Sequence, residues 1–307
     1  MAHFSWELSV VVFIHTYIDS RLIIKLNVIT TAHNQVSIML RYLIKLFMLS
    51  MCHQMRAEVD ENNTFVDYRF QNLTSFAITD LSNPVSYIMY LSLRGNNLDR
   101  IPNDITKLSS LERLILSENP QITFPPDGSP FLISRSLIDL DCESCDVKVI
   151  YNRSLRRLPL LETLRLPNNT IQMIEKRAFQ HNTNIRMLDF RHNKLTSLPS
   201  TILVGLSKIK HLDLSGNREL APQDGQPFLE SSSLKILKCN NCGFSTTQVV
   251  TFSKLPNLQE LHLAENRLLV APCLLPALKA LGVYSMKIIT DYQRCLRKKF
   301  PFVKVLK

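Results

Sequence analysis

The sequence has few of the residues that turn-rich folds and cofactor sites require. It contains 7 glycines and 1 tryptophan in 307 residues, which disfavours a β-sandwich or barrel. It has no glycine-rich phosphate loop, and no nucleophile stands at a motif spacing from a histidine. We therefore expect a protein that is not an enzyme, with no catalytic residues and no cofactor.

Positive charge is concentrated at the two ends of the chain. The formal net charge is +10, of which residues 1–57 contribute +3 and residues 286–307 contribute +6, leaving +1 for the body. A balanced body is not the pattern of a nucleic-acid groove, so nucleic acid is not an expected partner. The tail cluster Arg294, Arg297, Lys298 and Lys299 is typical of a solvated helix face; a phosphate or heparan-like ligand there is the alternative.

No segment is apolar enough for a stable membrane span. Residues 7–30 are interrupted by Asp19, Arg21 and Lys25, whereas a spanning helix needs about eighteen uninterrupted apolar residues. Residues 39–57 fit a signal peptide better, with a basic start followed by an apolar run. We predict an amino-terminal extension over 1–57 with Met39 as the true start; an uncleaved anchor or a disordered extension is the alternative.

What the sequence does contain is a fixed internal period. The template L-x-x-L-x-L-x-x-N recurs from residue 88 onward. Its starts are Ile88, Leu111, Leu137, Leu161, Ile185, Ile209, Leu234, Leu258 and Leu278, at intervals of 23, 26, 24, 24, 24, 25, 24 and 20 residues. Amphipathic helices repeat every 3.6 residues and do not produce such spacing. The pattern predicts a solenoid over 88–307, with nine repeats and the start of a tenth.

Each part of the template has a structural meaning. The L-x-L core is a short strand whose leucines point inward, and stacked strands form one parallel sheet. The asparagine can pair with backbone groups that the turn leaves unsatisfied. The longer second half of each coil should form the convex wall from short helices, turns and extended segments. The predicted fold class is α/β, with a curved parallel sheet on the concave face.

These repeats resemble the extracellular "typical" leucine-rich-repeat class over roughly residues 66–307. The resemblance implies a secreted or cell-surface protein that binds another protein on its concave sheet. Residues 58–87 have the shape of that class's amino-terminal cap, with Tyr68 where a cysteine is common. Twice, a coil with an extra residue after its asparagine runs through an Asp-Gly segment, 127–132 or 224–229, into a coil with a Cys-x-x-Cys pair. This unit is similar to arthropod leucine-rich-repeat proteins of adhesion or innate immunity.

The Cys-x-x-Cys pairs, Cys142/Cys145 and Cys239/Cys242, have the spacing of zinc or redox sites. Their template positions favour another interpretation, because both members of each pair point inward, where thiols serve as small buried apolar residues. The pairs are also four coils apart, about 20 Å, too far to share a metal ion. We expect no metal site. A disulfide between Cys273 and Cys295, in the last coils, is a separate hypothesis.

If the strands stack, template positions 3, 5 and 7 project from the concave face, where repeat arrays meet partners. We predict a protein ligand on this face. The predicted binding residues are Tyr90, Arg94, Arg113, Asp139, Asp141, Glu143, Arg165, Asp189, Arg191 and Asp213. Export is favoured by four glycosylation sequons, at Asn62, Asn72, Asn152 and Asn168.

The sequence thus predicts a secreted or surface-displayed recognition protein. The first alternative is an ectodomain fragment of a membrane receptor that continues beyond Lys307, and the second is a cytosolic scaffold. Because residues 300–306 resemble the start of another coil, either the chain is truncated or its last strand is a bare edge. No pattern in the sequence selects an oligomeric state.

Overall fold

The structure is a computed structural model of the chain. It describes residues 58–59, 64–81, 85–101, 103–245, 247–266, 287–289 and 304–306, all within one compact unit, Met55–Lys307. The predicted signal peptide, the sequon at Asn62, and the hypothetical Cys273–Cys295 bridge lie outside these residues.

The coils stack their strands into one long sheet, as predicted. Its strands follow one another in space in chain order, and all neighbours are parallel except the first pair. They are Glu58–Val59 (β1), Phe65–Asp67 (β2), Tyr90–Ser92 (β3), Arg113–Ile115 (β4), Asp139–Asp141 (β5), Thr163–Arg165 (β7), Met187–Asp189 (β9), His211–Asp213 (β10), Ile236–Lys238 (β11), Glu260–His262 (β12), Lys287–Ile289 (β13) and Lys304–Leu306 (β14). A second, two-stranded sheet pairs Val149–Ile150 (β6) with Met173–Ile174 (β8).

The central leucine of each strand lies in a single buried column. Leu91 pairs with Leu114, and the register continues one residue per coil as far as Leu261. Each of these leucines is at most 2% exposed. Because side chains alternate along a strand, burying the central residue turns its two neighbours outward. The predicted continuous interior is confirmed.

The second half of each coil closes the core opposite the sheet. Within the described ranges it contains three 3-10 helices, Ile78–Asp80, Asn103–Lys107 and Ser200–Leu203. Large aromatic side chains fill the interior there, with Phe179, Phe244 and Phe252 fully buried. In the part of the chain that the structure describes, no helix is long and apolar enough to cross a membrane.

The segment predicted to be the amino-terminal cap contributes strands of its own. β2 continues the parallel sheet, with Val66 paired to Leu91, and β1 adds an antiparallel edge. Tyr68, at the position where a cysteine is common, packs its ring edge-on against Phe76 with 5.5 Å between ring centroids. An aromatic contact therefore occupies the place of a cysteine clamp.

The strand that follows β12 lies further along the chain than the ninth repeat of the template predicts. The match at Leu278, Leu281 and Val283 predicts a strand near 280–282, but the strand that pairs with β12 is β13, with Ile288 opposite Leu261. β-branched isoleucines favour a strand more than a segment that contains Gly282. The strand expected in the tenth repeat is present as β14, with Val305 rather than Leu306 in the column of Leu261.

The asparagine ladder is also confirmed. In the coil that starts at Ile209, Asn217 accepts a hydrogen bond from the backbone N–H of Leu195 at 3.0 Å. Its side-chain amide donates to the carbonyls of Phe190 at 3.0 Å and Leu214 at 2.7 Å. The same arrangement recurs at Asn96, Asn119, Asn169, Asn193 and Asn266. Each asparagine thus joins its own coil to the preceding one.

Two coils lack the ladder asparagine because, in the coil before each of them, the backbone N–H that would need it is already hydrogen-bonded within its own coil. The extra residue in that preceding coil lets the N–H of Ile122 bond the carbonyl of Asn119, and that of Leu220 bond the carbonyl of Asn217, each at 3.0 Å. No ladder amide is then required from the following coil, and a cysteine stands in its place at 145 and 242. This explains why the extra residue and the Cys-x-x-Cys pair occur together.

The prediction that these cysteines remain thiols is wrong. Cys142 is bonded to Cys145, and Cys239 to Cys242, as disulfides. The template positions were predicted correctly, since all four residues are buried. The turn between the two inward positions brings the Cα atoms of Cys142 and Cys145 to 5.8 Å, within the range that a disulfide bridges. Each pair closes on itself and leaves no thiolate for a metal.

Candidate functional site

The outward residues of the main sheet form one solvent-facing surface, which we call the strand face. It consists of template positions 3, 5 and 7 of the coils from β2 to β12. The parallel register places each position beside its equivalents, about 5 Å away on either side. All ten predicted binding residues lie on this surface; whether they bind a ligand stays a prediction.

An aromatic group marks the amino-terminal end of the strand face. The rings of Phe65 and Tyr90 are stacked, with centroids 4.3 Å apart. The Arg113 guanidinium lies over the Tyr90 ring, 5.7 Å from its centroid, at a distance where cation–π attraction operates. Partial burial raises the pKa of the Tyr90 hydroxyl, so this hydroxyl remains a neutral hydrogen-bond donor at physiological pH.

The next side chain along this surface is a carboxylate held between two arginines. Asp139 Oδ1 lies 2.5 Å from Arg165 Nη1, and its Oδ2 lies 3.3 Å from Arg113 Nε. The Asp139 side chain is only 17% exposed, whereas that of Arg113 is 46% exposed. The aromatic group, Arg113, Asp139 and Arg165 therefore form a connected row across five neighbouring strands, β2, β3, β4, β5 and β7, with the arginines as its more accessible charged members.

Two more of the predicted binding residues, Asp141 and Glu143, are also engaged. Asp141 accepts a hydrogen bond from the Ser117 hydroxyl at 2.5 Å and from the backbone N–H of Glu143 at 3.1 Å. Glu143 accepts one from the Asn168 side-chain amide at 2.8 Å. The carboxylates of this region are therefore all held by neighbours, Asp139 by two arginines and the other two by neutral donors.

The strand face continues in the central coils as a second charge network. Arg191 makes a forked ion pair with Asp189, the closest contact being 2.8 Å. Those hydrogen bonds raise the pKa of Arg191. Arg191 Nε also lies 3.9 Å from Asp213, which Lys238 approaches to 4.0 Å from the other side. The Asp189 side chain is only 2% exposed, so it supports Arg191 and offers little surface to a partner.

Three members of these networks were not among the predicted binding residues: Phe65, Ser117 and Lys238. All three occupy outward template positions of their coils, so the register could have identified them. One further signal was available. Asp67-x-Arg69 repeats the Asp189-x-Arg191 pattern, and Arg69 Nε lies 2.5 Å from Asp67 Oδ2.

Two histidines lie on the carboxyl-terminal part of the strand face. Burial lowers the pKa of His211, and the nearby Lys238 lowers it further against the opposing pull of Asp213 and Glu260. Burial likewise lowers the pKa of His262, again assisted by Lys238, while its contact with Glu260 at 3.4 Å and the charge of Asp213 oppose the shift. Both imidazoles therefore stay neutral to lower pH in the folded chain than in the unfolded chain.

These histidine shifts predict that the free energy of unfolding falls as the pH is lowered from 7.5 to 5.5. Below the ordinary histidine pKa of 6.5, the unfolded chain binds protons that the folded chain does not, so acid favours unfolding. Urea denaturation at both pH values measures the effect. The double variant His211→Gln, His262→Gln should show a smaller pH dependence than the parent chain. His181→Gln, at an exposed histidine, is the control; an equal reduction there would contradict the assignment.

The glycosylation predictions that fall within the described residues all concern exposed side chains. Asn72, Asn152 and Asn168 are exposed, and Asn168 lies at the border of the strand face, where its amide contacts Glu143. Across the described ranges, no group of three or more His, Cys, Asp or Glu side chains could hold a metal ion.

Comparison with known proteins agrees with this architecture. The family model described as "Leucine rich repeat" matches residues 149–218. Toll-like receptor 9 of Canis lupus familiaris is 28% identical in an alignment of 203 residues that covers 58% of this chain and 20% of that receptor. Chaoptin of Drosophila melanogaster is 28% identical over 185 residues, which are 60% of this chain and 14% of chaoptin.

The fold also matches solved structures. The crystal structure of the TLR13–ssRNA13 complex aligns with a TM-score of 0.52 at 21% identity, covering 66% of this chain and 33% of that one. The chain spans about a fifth of the length of the Toll-like receptor relatives. The similarity therefore concerns the repeat array, and the arthropod resemblance of the sequence agrees with the match to chaoptin.

Proposed function

Since this chain is a leucine-rich-repeat protein, we propose that it is a recognition module that binds a partner protein on its strand face. The observation that carries the proposal is the row of Tyr90, Arg113, Asp139 and Arg165, where the exposed Arg113 and the partly exposed Arg165 are held in place by a shared carboxylate. Tyrosine and arginine are the residue types that most often dominate binding energy at protein interfaces. A side chain that is already fixed loses less conformational entropy when a partner binds.

The strand face is a better candidate than the concavity beside Val204. This space, of about 500 Å³, is lined mainly by serines and loop residues, including Val204, Glu230 and Lys254. It contains no convergent set of titratable groups of the kind that marks a small-molecule or catalytic site. We therefore propose that the protein acts by binding and not by catalysis.

We also propose that the protein works outside the cell, either secreted or at the cell surface. Two disulfides are characteristic of an oxidising compartment, and Toll-like receptors and chaoptin are among its relatives. An ectodomain fragment of a membrane receptor is the second candidate, supported by the much greater length of those relatives. Sequencing the full transcript beyond the codon for Lys307 separates the two: a downstream membrane span favours the receptor, and a stop codon the secreted form.

The binding proposal is tested by placing a photo-crosslinking amino acid at Tyr90 of the full chain. We expect irradiation with extracellular proteins of the source organism to give a discrete covalent adduct, which identifies the partner. The control carries the same crosslinker at Val204, an apolar position that lies away from the strand face and, at 60% exposed, is more accessible than the partly buried Tyr90. With the partner identified, Arg113→Ala should weaken its affinity by about tenfold or more.

The proposal fails if the adduct forms equally at both positions or only at Val204. It also fails if Arg113→Ala leaves the affinity of the captured partner unchanged while a substitution on the wall opposite the sheet lowers it.

A further inference from the structure

A second charged surface lies away from the strand face, on the outer wall of two adjacent coils. We call it the wall patch and define it by Arg153, Arg156 and Arg157 of one coil and Lys176 and Arg177 of the next. All five side chains are exposed. They bring five positive charges into two neighbouring coils of a body whose formal net charge is only +1 outside the two terminal segments.

The two coils hold these residues side by side. β6 pairs in parallel with β8, with Ile150 opposite Ile174, so Arg153 and Arg177 each lie three residues beyond paired positions. Equivalent positions of stacked strands are about 5 Å apart. The two loops that carry the cations start from such positions, and like charges on neighbouring loops repel one another, an effect that a bound anion relieves.

The backbone that carries the patch is fixed from within. Asn182 is fully buried, and its amide donates to the carbonyls of Leu155 at 2.9 Å and Leu158 at 2.8 Å. These carbonyls flank Arg156 and Arg157. The fully buried Ser154 accepts the backbone N–H of Tyr151 at 3.1 Å. The arginines therefore project from an ordered loop, as a preorganised binding surface requires.

None of the five cations forms an ion pair within the described part of the chain, unlike the arginines of the strand face. Arg94, Arg113, Arg165 and Arg191 all contact carboxylates there. Beside the wall patch, the nearest acid in sequence, Glu175, instead accepts the backbone N–H of Asn152 at 2.8 Å. The same fold thus pairs arginines with carboxylates on one face and, among the described residues, leaves this cluster without ion pairs on another.

We propose that the wall patch binds a sulfated polysaccharide. An extended row of cations across two coils is complementary to the regularly spaced anionic groups of a linear sulfated chain. Single-stranded nucleic acid is less favoured because none of the five residues supplies the aromatic stacking platform that such ligands use. Anionic lipid is less favoured because it faces the cytoplasm, a point that rests on the extracellular location proposed above.

The sequon at Asn152 lies within this loop, one residue before Arg153. A glycan there would cover the patch and compete with an external polysaccharide. The test therefore uses the full chain with Asn152→Gln, so that glycosylation does not mask the result. The probe is heparin, with desulfated heparin as the matched ligand.

In that background, combining Arg153→Gln, Arg156→Gln, Arg157→Gln and Arg177→Gln should weaken heparin affinity by about tenfold or more at about 0.15 M salt and flatten its salt dependence. The control removes four exposed positive charges from other coils, as Lys107→Gln, Lys194→Gln, Arg218→Gln and Lys254→Gln, and should change affinity by about twofold or less. Desulfated heparin should bind weakly to every form. Because the four wall residues are exposed, thermal unfolding should confirm an intact fold.

Equal losses in the wall variant and in the control variant would overturn the proposal, because binding would then follow net charge alone. An unchanged affinity in the wall variant would also overturn it. So would tighter binding of a single-stranded oligonucleotide or of phosphatidylserine vesicles than of heparin at the same salt concentration. Crosslinking at Tyr90 reports separately on the strand face, so failure of one proposal is distinguishable from failure of the other.

Discussion

Replacing Asn217 with alanine should lower the free energy of unfolding by about 2–4 kcal/mol. The substitution leaves the buried N–H of Leu195 without its acceptor and removes the donor to the carbonyls of Phe190 and Leu214. A buried unsatisfied donor alone costs about 1–3 kcal/mol. Equilibrium denaturation with urea measures the change.

Two further variants make the ladder test specific. Asn257→Ala removes an exposed asparagine whose amide contacts the carbonyl of Ser232, and it should cost about 1 kcal/mol or less. Asn217→Cys should cost as much as Asn217→Ala, because the preceding coil has no extra residue to satisfy Leu195 internally. A cysteine tolerated at 217 would contradict the explanation given for positions 145 and 242.

Leu164→Ala should destabilise the chain by about 2–5 kcal/mol, because it leaves a cavity in a column with no freedom to collapse. Leu164 is fully buried between Leu140 and Leu188. The adjacent outward substitution Thr163→Ala should cost about 1 kcal/mol or less, since it lowers strand propensity and removes a hydroxyl and a methyl group from a partly exposed position. Urea denaturation of the two variants gives the comparison, and similar losses would show that the two sides of the strand are not distinct.

The sequence predicted the sheet because its period carries the physics directly. Leucines that recur about every 24 residues are buried in one shared interior, and the ladder asparagines pair with the backbone N–H and carbonyl groups around them. The template failed at the ninth coil, where the ladder asparagine is missing and several apolar residues compete for the column. There Ile288 occupies the column in place of Leu281.

The candidate site was harder to predict, because the repeat template shows which side chains point outward but not which of them contact one another. It placed Asp139, Asp141 and Asp189 on the outward face correctly. It did not reveal that Arg191 folds back over Asp189, or that Arg113 and Arg165 converge on Asp139. The convergence on Asp139 depends on side-chain length and on which residues stand one coil away. The Arg191–Asp189 ion pair and the two disulfides instead form within single coils, between residues that share a turn or a strand end.

The account depends most on the alternation of inward and outward residues in every strand. Single cysteines introduced at Thr163, Leu164 and Arg165 of the folded chain, reacted with a water-soluble maleimide and mapped by mass spectrometry, measure it most directly. We predict rapid labelling at 163 and 165 and protection at 164 until the chain unfolds. Equal labelling at all three positions, or protection at 163 and 165 with labelling at 164, would contradict a shared interior with a free outer face.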